Sequence, residues 1–211
     1  MPKINVLPKE VYSLIAAGEV VERPMSIVKE MIENSIDAGA KHITVEIKNG
    51  GTTYIRITDD GCGIAGEDVK KVFISHATSK ISTGSDLDSI ATLGFRGEAM
   101  ASIAAVAKVE LLTKAENEET GVRYEIAGGE ELDFSDAGCP QGTTVVVRDI
   151  FFNVPARMKF LKKDVTEGNS VQGIVERIAI SNPDISFRFI REGRQAMITA
   201  GNGDLKSTIY S

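Results

Sequence analysis

The sequence MSIVKEMIENSIDA, residues 25–38, has the pattern of an amphipathic helix. It contains no internal Gly or Pro, and its apolar residues fall on one broad arc before Gly39 supplies a stop signal. A helix turns about 100° per residue, so Glu30, Asn34 and Asp37 share a narrow strip beside the apolar arc. We therefore predict a helix over residues 25–38 that brings these three polar side chains to one place.

The pair Glu30 and Asn34 suits nucleotide hydrolysis. A carboxylate such as Glu30 can orient and deprotonate a water molecule, and the amide oxygen of Asn34 can bind Mg²⁺ beside the phosphates. The same spacing also fits a solvated helix face shared with Lys29 and Glu33. The spacing by itself does not choose between these two interpretations.

A predicted β-hairpin follows the helix and leads into a glycine-rich turn. Apolar residues alternate with polar ones over 43–47 and 54–57, with Asn49-Gly50-Gly51 as the turn. The next residues are DDGCGI, 59–64, whose glycines let the backbone approach a planar ligand closely. Asp59 is therefore a candidate acceptor for the exocyclic amino group of adenine. A tight turn capped by Asp59 is the competing interpretation.

A second glycine-rich segment, GFRGEAM at residues 94–100, enters a predicted helix. Free backbone N–H groups at a helix start can hold phosphate oxygens. The polar residues 75–97 predict a mobile loop, in which Thr78, Ser79 and Lys80 close over the same phosphates. A flexible surface loop followed by a capped helix is the alternative. The pattern G-x-x-x-x-G-K-[ST] is absent, so any ATP site here is not of the P-loop type.

The rest of the chain alternates helical and extended patterns. Hairpins outnumber helical crossovers, so we predict a mixed or antiparallel sheet. A connector marked by aromatic residues and proline, residues 151–157, is a candidate domain junction. The predicted helices are 8–17 ending at Gly18, 67–74, 98–107, a helix containing Lys159, Phe160 and Leu161, and 171–180; the further predicted strands are 109–113, 123–126, 143–148, 187–190 and 196–199.

Composition limits the classes of protein that this chain can represent. With 211 residues and 42% hydrophobic content, the chain can form one sizeable core, or one domain and a piece of a second. A net charge of -6 argues against a uniformly basic surface for nucleic acid. The sequence has no membrane span or signal-peptide pattern, which leads us to expect a cytosolic protein. The basic residues Arg157, Lys159, Lys162 and Lys163 suit either DNA phosphate or a solvated helix face.

Taken in chain order, these motifs resemble those of the GHKL ATPases, the group that includes gyrase, Hsp90, histidine kinases and MutL. The motifs are Glu30 with Asn34, DDGCGI at 59–64, GFRGE at 94–98 and GTT at 142–144. Three further stretches resemble the MutL family of mismatch repair proteins: IAAGEVVERP at 15–24, HATSK at 76–80 and FNVPAR at 152–157. The resemblance covers essentially the whole chain.

The resemblance implies an α+β fold of the GHKL (Bergerat) type, a sandwich of helices against a mixed, mostly antiparallel sheet. It implies ATP and Mg²⁺ as ligands, with Glu30 as general base, Asn34 as the Mg²⁺ ligand and Asp59 as the adenine contact. The other residues that it assigns to the nucleotide are Asp37, Ala38, Gly61, Gly63, Ile64, Thr78, Ser79, Lys80, Gly94, Phe95, Arg96, Gly97, Glu98, Ala99, Met100 and Thr143. At position 60 the chain has Asp where the family usually has Asn or Gln, and at position 158 it has Met where a second arginine is common.

For the whole protein, the resemblance implies an ATP-switched clamp in mismatch repair. The expected partners are a MutS-type mismatch sensor, DNA, a downstream nuclease or helicase, and a second copy of the chain when ATP binds. The expected location is the bacterial cytoplasm, at the nucleoid. We expect an ATPase domain over residues 1–200 and a linker or the start of a second domain over 201–211. Because the family's second domain supplies a lysine to the γ-phosphate, we expect ATP binding by this chain with slow turnover. A chaperone or topoisomerase ATPase, or a nucleotide-dependent binding module with negligible turnover, is the alternative.

Overall fold

The computed structural model describes residue 5, residue 8 and residues 17–18, 20–78, 92–94 and 97–210. Its helices are α1 (Pro24–Asp37), α2 (Ala99–Val106), α3 (Pro155–Met158), α4 (Asp164–Ser181) and α5 (Leu205–Ile209), with 3-10 helices at Asn49–Gly51 and Gly66–Phe73. Its strands are β1 (His42–Lys48), β2 (Tyr54–Asp59), β3 (Lys108–Lys114), β4 (Gly121–Ala127), β5 (Glu130–Ala137), β6 (Gly142–Arg148), β7 (Ser186–Arg191) and β8 (Arg194–Ile198).

These strands form one mixed sheet in the order β5-β4-β3-β6-β2-β1-β7-β8. Neighbouring strands are antiparallel except β1 and β7, which pair in parallel. The predicted mixed sheet and the predicted hairpin over residues 43–57 are therefore confirmed, and the predicted strands near 187–190 and 196–199 form a further hairpin. Because β7 follows residues 151–157 and pairs with β1, the connector does not divide two separate sheets. No helix within the described ranges has the length and apolar character needed to cross a membrane.

The alternation of side chains gives the sheet one apolar face and one charged face. On the apolar face Val45, Ile57, Val145 and Leu111 lie side by side across four strands and are buried. Apolar residues of α1, α2 and α4 complete this core. Ion pairs occupy the opposite face, among them Arg56 with Glu46 at 2.8 Å and Arg148 with Glu110 at 2.9 Å. The α+β sandwich expected from the sequence is confirmed.

Helix α1 matches its prediction to within one residue at each end. Pro24 stands in its first turn, where the missing backbone N–H removes no helical hydrogen bond. Ile27, Val28 and Ile32 are fully buried in the core. The helix ends where the N–H of Ala38 bonds to the carbonyl of Asn34 and Gly39 takes a φ of +76°.

Strand β5 has no counterpart among the predicted strands. Its sequence, EELDFSDA, has two large apolar residues, Leu132 and Phe134, and both are exposed, as are most of its side chains. It lies at the edge of the sheet, where it pairs with β4, and Lys70 and Tyr124 contact its Glu131 side chain. A strand that buries no face leaves no periodic signal in the sequence.

One helix prediction was wrong, and so was the predicted end of another helix. Residues 159 and 160 form a turn instead of a helix, and Phe160 is 81% exposed, so no packed face holds that segment helical. The first predicted helix does not end at Gly18, because Val21 N–H bonds to the Ala17 carbonyl at 2.7 Å. A Cβ on Gly18 would lie 1.3 Å from the Nη2 atom of Arg157, so this glycine leaves room for a guanidinium and does not stop the helix. The predicted residues 9–16 lie outside the described residues.

Candidate functional site

A cavity of about 1060 Å³ lies between α1, the apolar face of the sheet, the turn after β2 and the start of α2. Fourteen predicted nucleotide-site residues line it: Glu30, Asn34, Asp37, Ala38, Asp59, Gly63, Ile64, Thr78, Gly94, Gly97, Glu98, Ala99, Met100 and Thr143. Gly61 is buried and does not line the cavity, and Ser79, Lys80, Phe95 and Arg96 lie outside the described residues. The structure thus brings together residues that lie far apart in the sequence.

Helix α1 supplies one wall and carries its polar strip into the cavity. Glu30 and Asn34 both line the cavity, and the Lys29 ammonium lies 3.6 Å from the Glu30 carboxylate and 2.8 Å from that of Glu33. Burial lowers the pKa of Lys29, but its hydrogen bond and charge interaction with Glu33, with a smaller contribution from Glu30, leave the pKa above its ordinary value. The ammonium therefore stays charged beside Glu30.

Asp37, at the last turn of α1, fastens the helix to the second glycine-rich segment. Its carboxylate accepts the backbone N–H of Leu93 at 3.0 Å and that of Gly94 at 3.2 Å. This contact sets the beginning of the Gly94–Met100 segment against the helix that carries Glu30 and Asn34. The assignment of Asp37 to the nucleotide, which the resemblance implies, stays a prediction.

The floor of the cavity contains the carboxylate of Asp59 at the end of β2, which is 9% exposed. Burial raises its pKa above the ordinary value, and hydrogen bonds from Ser35, Gly61 and Thr143 oppose that rise. The Ser35 hydroxyl donates to Oδ2 at 2.7 Å, and the Gly61 N–H donates to Oδ1 at 3.0 Å. Sequence reasoning missed Ser35, although its position one residue after Asn34 placed it on the same helix.

Close packing explains the glycines of the turn after β2. A Cβ on Gly63 would lie 2.1 Å from the Lys114 carbonyl oxygen, and φ is +71° there. The Ala38 carbonyl accepts the N–H of Cys62 at 3.0 Å, which ties the turn to the end of α1. Thr113 is another residue that the sequence analysis did not identify. Its hydroxyl accepts the Ile64 N–H at 2.9 Å and lies 3.2 Å from the Thr143 hydroxyl.

The two described ends of the segment between the 3-10 helix and α2 meet beside the cavity. His76 Nδ1 lies 2.5 Å from the Glu98 carboxylate, and the His76 N–H donates to the Gly97 carbonyl at 3.1 Å. A Cβ on Gly97 would lie 2.4 Å from the Ala77 carbonyl oxygen, so only glycine fits. The chain therefore enters α2 at Ala99 with the positive end of the helix dipole toward the cavity.

Comparison with known proteins identifies the family to which this chain belongs. Residues 22–130 match the family described as histidine kinase-, DNA gyrase B-, and HSP90-like ATPase. The chain is 55% identical over its full length to the DNA mismatch repair protein MutL of Agathobacter rectalis, and 54% identical over 99% of its length to that of Caldanaerobacter subterraneus. It spans 32% and 35% of those relatives, about a third of their length.

Solved structures of ATPase and DNA repair domains have the same fold as this chain. The Aquifex aeolicus MutL ATPase domain complexed with ADP superposes with a TM-score of 0.76 and 36% identity, over 90% of this chain and 68% of that one. The N-terminal domain of a DNA repair protein gives a TM-score of 0.80 at 28% identity, over 94% of this chain and 59% of that one. The chain therefore belongs to the histidine kinase-, DNA gyrase B- and HSP90-like ATPases and, within them, to the ATPase domains of the MutL family.

Proposed function

We propose that this chain binds ATP with Mg²⁺ in the cavity described above and hydrolyses it slowly. The observation that carries the proposal is one cavity with Asp59 on its floor, Glu30 and Asn34 on its wall and the start of α2 opposite. That set supplies an acceptor for the base, a carboxylate for water and backbone donors for phosphates. The ADP complex of the Aquifex aeolicus domain supports a nucleotide as the ligand.

Asp59 recognises the adenine base of the nucleotide. Its buried carboxylate accepts the 6-amino hydrogen of adenine, while the 6-oxo group of guanine presents an acceptor to an acceptor. At the other end of the cavity, backbone N–H groups at the start of α2 stabilise phosphate oxygens. Glu30 orients the attacking water and takes its proton. Lys29 sits between Glu30 and Glu33 and holds the Glu30 side chain in place.

The donor chemistry of the cavity fits a magnesium ion brought in with the nucleotide. Among the described residues, no three His, Cys, Asp or Glu side chains cluster into a metal cage. Mg²⁺ commonly keeps several waters and takes few protein ligands beside substrate phosphates, so the single amide oxygen of Asn34 is sufficient on the protein side. When bound there, the ion neutralises phosphate charge.

For a protein of the length of the MutL relatives, we propose an ATP-switched clamp that couples mismatch recognition to downstream repair. The proposed partners are a MutS-type sensor, DNA, a nuclease or helicase, and a second copy of the chain on ATP binding, in the bacterial cytoplasm. Names of the bacterial relatives support this role. For DNA, the support is the exposed Lys159, Lys162 and Lys163, since Arg157 already donates to the Val21 carbonyl.

We also propose that the ATPase domain covers residues 1–200 and that 201–211 is a linker or the start of a second domain. Strand β8 ends the sheet at Ile198. The short α5 follows, and Leu205, Ile209 and Tyr210 there are exposed. This boundary places the whole of the candidate site within the first unit.

The test of the proposed activity is replacement of Glu30 by Ala, measured both in this chain and in a chain of the length of its MutL relatives. We expect ATP affinity to be kept and turnover to fall about 100-fold or more, the size expected for loss of a general base. Glu176→Ala is the matched control, because Glu176 is an exposed glutamate on α4. Unchanged turnover in Glu30→Ala would remove Glu30 as the base, and absent turnover in the unmodified chain of full length would favour a binding module.

A further inference from the structure

Ser35 lines the cavity and its hydroxyl makes two contacts there. It is 3% exposed, and its hydroxyl lies 2.7 Å from Asp59 Oδ2 and 3.2 Å from the Met31 carbonyl oxygen. A hydroxyl has one hydrogen to donate, and the shorter distance assigns it to Asp59. Ser35 therefore joins α1, which carries the proposed catalytic pair, to the proposed base-binding carboxylate on β2.

The protonation state of Asp59 determines which base it can bind. As a carboxylate it only accepts hydrogen bonds, which suits the 6-amino group of adenine. As a neutral acid it also carries an O–H donor, which suits the 6-oxo group of guanine. Burial favours the neutral form, so the donors around Asp59 have to maintain the charged form.

Among the described residues, three donors contact Asp59, and one of the three, Ser35, donates from its side chain. Gly61 and Thr143 contribute backbone N–H groups, which every substitution except proline keeps. Ser35 contributes the hydroxyl. If Asp59 takes up a proton, Ser35 can turn its own hydrogen to the Met31 carbonyl and accept the Asp59 proton, which keeps that donor away from a bound base.

We propose that Ser35 determines base specificity: its hydroxyl holds Asp59 as a pure acceptor toward the ligand, so that the site takes 6-amino purine nucleotides and rejects 6-oxo purine nucleotides. This inference rests on the proposed ATP site. Ser35 acts through Asp59 and is a positioning residue, because its hydroxyl is already committed to that carboxylate.

Other charges near Asp59 have to be separated from this effect. Asp60 is the charged neighbour that further raises the pKa of Asp59. Cys139 shares a small cavity with Asp59, and burial raises the pKa of its thiol, which keeps the thiol neutral. From α1, β6 and the turn, the groups that contact Asp59 are Ser35, Thr143 and Gly61, which do not titrate between pH 5 and 8.

The experiment measures binding of ATP and GTP, each with Mg²⁺, to this 211-residue chain by titration calorimetry between about pH 8 and about pH 5.5. For Ser35→Ala we expect ATP affinity to fall more steeply with acid than in the unmodified chain. We expect its preference for ATP over GTP to fall about ten-fold or more, the range for loss of a hydrogen bond to a charged group. In Asp59→Asn the Gly61 N–H keeps the amide oxygen at the Oδ1 position, so the amide NH₂ presents a permanent donor at the other, and the preference for ATP over GTP should fall further than in Ser35→Ala.

Ser35→Thr, which keeps the hydroxyl, should restore the ATP preference. Ser102→Ala removes another buried serine hydroxyl, on α2, and should leave the preference unchanged. If the ratio of ATP affinity to GTP affinity is unchanged in Ser35→Ala at every pH while Asp59→Asn loses ATP binding, the proposed role of Ser35 is overturned and the proposed adenine site is not. Unchanged ATP binding in Asp59→Asn would overturn the proposed adenine site itself, and with it this inference.

Discussion

Replacement of Gly142 by Ala tests whether the start of β6 fixes the position of Asp59. Gly142 has a φ of +112°, and a Cβ there would lie 2.1 Å from the carbonyl oxygen of Asp59. The opposing atoms belong to backbone, so no flexible side chain can move aside. Residues 59 and 143 face each other in the β2–β6 register, and the added methyl would push these strands apart at the cavity floor.

The magnitude has two parts that a second glycine separates. Gly129 also has a positive φ, +86°, but a Cβ there would meet nothing within 4 Å. Gly129→Ala therefore measures the backbone strain alone, about 1–2 kcal/mol. Gly142→Ala adds a steric clash of about 1–3 kcal/mol, the range for overpacking. We expect a loss of about 3 kcal/mol in the free energy of unfolding for Gly142→Ala, which lowers Tm by about 6–12 °C in a chain of this size.

Urea unfolding of both variants gives the free energies, and calorimetric titration with ATP reports the site. Gly142→Ala should weaken ATP binding because Asp59 and Thr143 shift, whereas Gly129→Ala should bind ATP as the unmodified chain does. Equal destabilisation in the two variants would show that the strands absorb the methyl without strain. Close approach to the Asp59 carbonyl would then not be what requires glycine at position 142.

Two neighbouring carboxylates should respond to pH in opposite directions. Burial raises the pKa of Asp59, so ionisation of Asp59 destabilises the ligand-free fold as pH rises through that raised pKa. Asp59→Asn should therefore raise Tm at neutral pH, and this gain in Tm should vanish below the ordinary pKa of aspartate. Burial of Asp60 would raise its pKa, but hydrogen bonds from the His42 ring and from the N–H groups of His42 and Lys41 outweigh burial and lower the pKa. The stabilisation of the fold by ionised Asp60 is complete above the ordinary pKa of aspartate and is lost as pH falls through the lowered pKa. Asp60→Asn should therefore cost about 1 kcal/mol at neutral pH, a value reduced for its partial exposure, and the difference in urea midpoint should disappear in acid.

Periodicity and turn chemistry were enough to predict most of the elements. Helix α1 and strands β1, β2 and β7 each bury one face, and each therefore carries a repeat in its sequence. The edge strand β5 buries no face and was missed. The turn at residues 159–160 was predicted as helix because composition alone does not show that Phe160 lacks a packing partner.

The sequence located the site but not the work that each residue does in it. Glu30, Asn34 and Asp59 were found because their residue types and order match a known set of motifs. Ser35 and Thr113 were missed because their importance comes from contacts with Asp59, Ile64 and Thr143, residues distant in sequence. The structure also explains Asp60, the departure from the family pattern, since its carboxylate accepts the N–H groups of Lys41 and His42 at 2.8 Å each.

The pairing of β2 with β6 has a consequence for the order in which the molecule is assembled on the ribosome. Asp59 and Thr143 lie in one register pair, yet β3, β4 and β5 are synthesised between their strands. Until β6 emerges, β2 has one free edge and the base-binding floor does not exist. Non-local pairing of this kind slows folding and leaves an aggregation-prone edge exposed. Nucleotide therefore cannot stabilise the nascent chain at that stage, and ATP can stabilise only the sheet in which β2 and β6 are already paired.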